Sequence, residues 1–187
     1  MKKFEISKQN IILAAIDQIA ANGLHGTSIR SIAKQMNVEH SRLYYYFKSK
    51  DELIANVFLY IAVNLQNEIN TLQMDGMSPE ERFKTIIRTI YNYLSKNTNQ
   101  AKVYRMSPLL YDMNETDKQI FLSESTQNCR FVKLLQELTD LNEVTKTLQL
   151  EIALICYLPI MDFATYNKDE HKIAPFINSL WNSISKH

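Results

Sequence analysis

Glycine and proline are scarce in this chain, with three and four in 187 residues. Turn-rich sandwiches and barrels draw on both residues at each reversal, so this shortage points away from them and toward helices. With only Gly23, Gly26 and Gly76 available, no glycine-rich phosphate loop can be assembled. The two cysteines, Cys129 and Cys156, lie far apart in apolar context and belong to no CxxC or Cys/His cluster. They read as small buried hydrophobes of a reducing compartment, and no metal is expected. His25, His40, His171 and His187 are not spaced for shared ligation, and none joins a Ser or Cys in a nucleophile motif. The chain therefore reads as no enzyme, with no cofactor. Long apolar runs are missing too: Ile152 to Met161 is the longest, about half of the ~20 residues a membrane span needs. The opening MKKFEISKQN turns polar too soon for a signal peptide. A soluble, cytoplasmic chain with no membrane partner is the expectation.

What is present is uneven in charge. Residues 1–50 hold eight Lys or Arg against three acids, a net of +5, while the whole chain is +1, leaving −4 for the rest. Phosphate contacts need local cations, so a polyanion partner fits the first fifty residues and not the remainder.

Periodicity is helical throughout. Ser7 can cap a first helix, with Ile6 and Ile11 at staple spacing and Ile12, Ala15, Ile16 and Ile19 on one apolar face. Gly23 followed by Leu24 reads as a left-handed cap. Thr27 or Ser28 opens a second helix, with Ile29, Ile32, Ala33 and Met36 inward. Asn37 stands where the chain must reverse, and asparagine tolerates positive φ better than other non-glycine residues. Val38, Leu43 and Tyr46 or Phe47 then anchor a third helix, leaving His40, Ser41, Arg42, Tyr44 and Tyr45 on its other face. Apolar Ile29 and Ile32, small Ala33, turn residue Asn37, and apolar Val38 and Leu43 have the spacing of a helix-turn-helix. Three consecutive tyrosines cannot share one buried face of a helix. Beside His40, Arg42 and Lys50, an outward tyrosine suits packing on sugar and bonding phosphate. Ser49 with Glu52 reads as a capping box opening a fourth helix, and Ser78-Pro79-Glu80-Glu81 opens a fifth. Further helices are expected from Asn99 through Met106, from Asn114 toward Leu138, from Asn142 to about Tyr166, and from Asp169 to Lys186. The fold class is all-α, with about nine helices.

The stretch TSIRSIAKQMNVEHSRLYYYFKSKDELI, and LYYYF with Lys50-Asp51-Glu52-Leu53 above all, resembles the DNA-binding domain of TetR/AcrR-type transcriptional regulators. That resemblance implies an all-α homodimer, in most members a repressor released from its DNA operator by a small ligand. It implies a helix-turn-helix domain over 1–50 and a ligand-binding and dimerisation domain over 51–187. It places Arg30, His40, Ser41 and Arg42 at base-reading positions, and Thr27, Ser28, Tyr44, Tyr45, Tyr46 and Lys50 at phosphate-holding ones. Asn37 stands for the usual turn glycine, Glu39 for a capping Ser or Thr, and Tyr46 for the commoner histidine.

Beyond residue 55 no motif is comparably specific. Tyr60, Tyr91, Tyr104, Met106, Tyr111, Phe121 and Cys129 are the candidate lining of an adaptable pocket for a small lipophilic effector, although each taken singly reads as core. Leu154, Leu158, Phe176, Leu180 and Trp181 exceed what one intramolecular face needs and are the candidate dimer interface. Asp162, in YLPIMDFATY, reads as solvent-facing or capping in preference to a countercharge for a cationic ligand. A second reading is a helical interaction or assembly protein whose helix-turn-helix does not read DNA.

Overall fold

The computed structural model describes residues 6–106, 129–139, 160–162, 164–165 and 170–184. Eight helices are delimited among them: α1 (Lys8–Gly26), α2 (Ile29–Gln35), α3 (His40–Tyr44), α4 (Lys50–Asn70), α5 (Pro79–Lys96), α6 (Thr98–Tyr104), α7 (Arg130–Thr139) and α8 (Glu170–Ile184). Strands are absent from the described residues. The helices expected from Asn114 to residue 128 and from Asn142 to residue 159 lie outside them.

The caps of α1, α2 and α5 sit where the sequence puts them, whereas α6 opens two residues ahead of the expected Asn99, at Asn97. Asn10 N–H donates to Ser7 Oγ at 3.2 Å. Ser78 and Glu81 form a reciprocal box, and the bond from the Ser78 N–H holds the Glu81 carboxyl below the usual carboxylate range. Two further local expectations are corrected. Gly23 has φ 73° and ψ 171°, a glycine-only conformation outside the left-handed helical region; it breaks α1 rather than capping it, and one further turn follows. At the start of α4 the Glu52 N–H donates to Ser49 Oγ at 3.0 Å, but the Glu52 carboxylate accepts from Lys48 N–H at 2.7 Å, one residue ahead of the cap.

A continuous apolar cluster runs from Ile6 to Ile177. Ile11, Ala15, Ile16 and Ile19 of α1 face α4 and α6, with Leu53, Val57, Phe58 and Ile61 of α4 and Ala101 and Val103 of α6 in that interior. Phe83 of α5 is fully buried, its ring 6.0 Å from Phe131 of α7 and 5.5 Å from Trp181 of α8. At ~25 cal/mol per Å² of apolar surface, such a ring stabilises the fold by about 3 kcal/mol. Arg130 donates to the carbonyls of Ile69, Asn70 and Leu72, the last at 2.8 Å. Ile69 O also accepts from Leu72 N–H at 3.2 Å, so Arg130 adds to the bonding that closes the C-terminus of α4 and reaches the chain just beyond it.

Candidate nucleic-acid interface

The reader is built from its turn outward. Asn37 has φ 54°, and no other described non-glycine residue has a positive φ. Its N–H donates to Lys34 O at 3.1 Å and the next, of Val38, to Ala33 O at 3.0 Å, so the chain reverses without losing backbone bonds. Ala33 and Leu43 are buried, and the small Ala33 side chain lets α3 approach α2. α3 is shorter than its apolar pattern implies. After Tyr44 the backbone tightens into a turn, with the N–H groups of Tyr46 and Phe47 both donating to Leu43 O at 3.0 Å. Glu39 is its N-cap and makes no side-chain capping bond.

The three tyrosines separate by environment. Tyr45 is 86% exposed and Tyr44 49%, with the Tyr44 ring edge-on to His40 at 6.2 Å. Tyr46 is half-buried, and its hydroxyl donates to Ile6 O at 2.8 Å. That bond ties the end of the reader to the chain just before α1. Alongside it the Lys8 ammonium lies 5.4 Å above the buried Phe47 ring. Arg30, His40, Ser41 and Arg42 are exposed, as are Lys34 and Lys48, and Lys50 is half-buried. The structure thus groups His40, Ser41, Arg42, Tyr44 and Tyr45 on the open face of one module, with Arg30 exposed on the neighbouring α2.

Two predicted contacts have other work. Thr27 is buried at 3% exposure, and its hydroxyl donates to Gly23 O at 2.8 Å, so it closes the α1–α2 corner and has no open path to a phosphate. Ser28 is exposed but caps α2 reciprocally with Ser31. Lys8, Lys34 and Lys48 are exposed cations that sequence reasoning left out of the set, and the concentration of positive charge in residues 1–50 was the signal for them.

The body distributes its candidates differently. Tyr104 and Cys129 are buried, and burial first, then Cys129 nearby, pushes the Tyr104 phenol up. Tyr91 is buried, whereas Tyr60 and Met106 are partly so. Tyr111, Phe121, Leu154 and Leu158 lie outside the described residues. A cleft of about 200 Å³ is lined instead by Met74, Asp75, Arg82, Ile86, Arg130, Lys133, Leu134 and Glu137, none of them a predicted pocket residue. Three cations and two acids lie in that lining, with Arg82 paired with Glu137 at 2.7 Å. Phe176, Leu180 and Trp181 of α8 are partly buried against the core of the same chain. Asp162 is half-exposed and ion-paired with Arg105 at 2.7 Å. Its countercharge therefore comes from within the chain, a partner that neither capping nor plain solvent exposure anticipated. No group of three or more His, Cys, Asp or Glu among the described residues could hold a metal, and no described helix is long and apolar enough to cross a membrane.

A helix-turn-helix with an open basic and aromatic face, set on a larger helical body, has the shape and charge of a module that enters a DNA groove. The sequence profile of "Bacterial regulatory proteins, tetR family" matches residues 11–57, the stretch from α1 into α4 that contains the helix-turn-helix. The chain is 38% identical over 106 residues to the fatty acid metabolism regulator protein of Bacillus subtilis, a match covering 57% of this chain and 55% of that protein, about half its length. The fold is similar to that of the transcriptional regulator FadR from Bacillus subtilis, solved in complex with stearoyl-CoA, at a TM-score of 0.68 and 22% identity over 96% of this chain and 98% of that one. It is also similar to a tetR-family regulatory protein from Rhodococcus RHA1, at a TM-score of 0.70 and 16% identity over 95% and 96% of the two chains.

Proposed function

We propose that this protein is a homodimeric transcriptional repressor that leaves a palindromic operator when a small lipophilic molecule binds its helical body. The open face of α3, with Leu43 turned into the core and His40, Ser41, Arg42, Tyr44 and Tyr45 turned out, carries this reading. Arg42 and His40 serve as base-edge donors, with Arg30 beside them, while Tyr44, Tyr45 and Lys50 hold phosphates. Residues 1–50 read DNA, and 51–187 bind effector and partner, the apolar residues of α8 and the segment before it meeting their copies. Two copies of α3 must stand about 34 to 36 Å apart to occupy successive major grooves. An effector shifts occupancy only through its different affinities for the gripping and released spacings. Arg82, Arg130 and Lys133, set against Asp75 and Glu137 in the same cleft, leave one net positive charge there, which supports an anionic group on the effector. The relatives named for fatty acid metabolism and for a stearoyl-CoA complex make long-chain acyl-CoA the first probe.

The test begins with selection of bound duplexes from a random pool, followed by fluorescence polarisation on the winning sequence. Affinity falls steeply with salt, and Arg42→Ala lowers the slope of log K against log salt by about 1. Stearoyl-CoA at micromolar concentration releases the duplex. No sequence preference in the selection defeats the regulator reading and leaves a protein-binding helix-turn-helix in its place.

A further inference from the structure

α4 is the covalent route from the reader to the body, but the two are joined physically at a second place. α1 packs against α6, where Ala101 and Val103 are fully buried. At the rim of that contact Asn99 Nδ2 donates to Asp17 Oδ1 at 2.9 Å, a bond between residues 82 apart in sequence. The next residue, Gln100, accepts from the Tyr93 hydroxyl of α5 at 2.7 Å. Tyr93 lies beside α4 as well. Its phenol is pushed up by burial and then by Tyr60, with Glu68 adding to this, while bonds to Gln100 and Asn64 act the other way. Tyr60, Asn64 and Glu68 are four residues apart along α4 and form one stripe. Two adjacent residues at the start of α6 therefore hold α1 on one side and the α4–α5 pair on the other.

α1 in turn carries the reader. It packs on α2, α2 packs on α3, and the Tyr46 hydroxyl bonds to Ile6 just ahead of α1. Rotating α1 on the body rotates α3 with it. We propose that Asn99 and Asp17 are positioning residues for DNA reading: their bond fixes the angle at which each protomer presents α3, and hence the half-site spacing the dimer accepts. This rests on the dimeric DNA-reading function above. Asn99 and Asp17 are both exposed, so their bond adds little to global stability. It sits at the base of a lever, however, where a small angular freedom becomes a larger displacement at α3.

The test uses full-length wild type, Asn99→Ala, Asp17→Ala and Asp17→Asn on a ladder of duplexes in which the selected half-sites are moved apart one base pair at a time. Asp17→Asn keeps the acceptor oxygen, so it serves as the conservative rescue. Wild type and Asp17→Asn show one sharply preferred spacing. In Asn99→Ala and Asp17→Ala the preference over the adjacent spacings shrinks by roughly threefold to tenfold, the range that loss of one hydrogen bond spans. All four proteins melt within about 2 °C of one another. Alanine variants that keep the wild-type spacing profile overturn the proposal, whatever their melting temperature. A wild type that binds specifically but ignores spacing overturns it while sparing the regulator reading, and a wild type that binds no duplex removes both.

Discussion

The three consecutive tyrosines offer a test that separates packing from recognition, because removing the same oxygen from each has a different consequence. Tyr46→Phe deletes the donor to Ile6 O, a bond of 2.8 Å at a half-buried site. The net value of such a bond is about 1 kcal/mol. For a chain of this length that lowers the melting temperature by about 2 to 4 °C. Tyr45→Phe removes a hydroxyl from a side chain 86% exposed, so stability changes by less than about 0.5 kcal/mol. Its loss falls on DNA, where a bond to a charged phosphate is worth about 1.5 kcal/mol, or roughly tenfold in affinity. Circular dichroism melts and fluorescence polarisation on the selected duplex read the two effects in the same preparations. The expected pattern is a double dissociation: Tyr46→Phe melts lower and binds nearly as wild type once folded, while Tyr45→Phe melts as wild type and binds weakly. If Tyr46→Phe keeps its melting temperature but loses DNA affinity, the inward assignment of its hydroxyl is wrong.

Asn37 gives a backbone test. At φ 54° a side chain that cannot bond locally costs about 1 to 2 kcal/mol, so Asn37→Ala unfolds at lower urea, whereas Asn37→Gly matches or exceeds wild type; equal midpoints for Ala and Gly would contradict the turn geometry. Tyr104 gives a pH test. Burial raises its phenol above the unfolded value of about 10, so its contribution is intact below pH ~10 and is lost as pH rises past that point, when the unfolded chain releases the proton first. Urea unfolding from pH 8 to 11 should fall more steeply for wild type than for Tyr104→Phe, by up to about 1.4 kcal/mol per pH unit, and parallel curves would refute the burial.

Much of the reader was legible because its determinants are local. A cap, a turn residue or an apolar stripe acts within three or four positions, so Ser7, Ser49, Ser78 and the Ala33, Asn37, Leu43 frame could be read directly from residue order. Spacing also required at least one tyrosine of three to face outward. It could not say which, because that depends on Ile6, 40 residues before Tyr46. Thr27 looked like a phosphate contact for the same reason: its burial follows from how α1 breaks at Gly23, whose φ and ψ no pattern of neighbours specifies.

The amino-acid order alone determined an all-helical chain with a basic head, the position of the helix-turn-helix and the residues on its open face. These follow from periodicity, capping and charge, which operate along the chain. Only the tertiary structure decided which side chains are already engaged. Tyr46 is taken by Ile6, Asp162 by Arg105, Asp17 by Asn99, and the end of α4 by Arg130. Each of these pairs joins residues more than 35 positions apart. A polar side chain has many acceptable partners, and the packing of the apolar core is what brings one of them within reach.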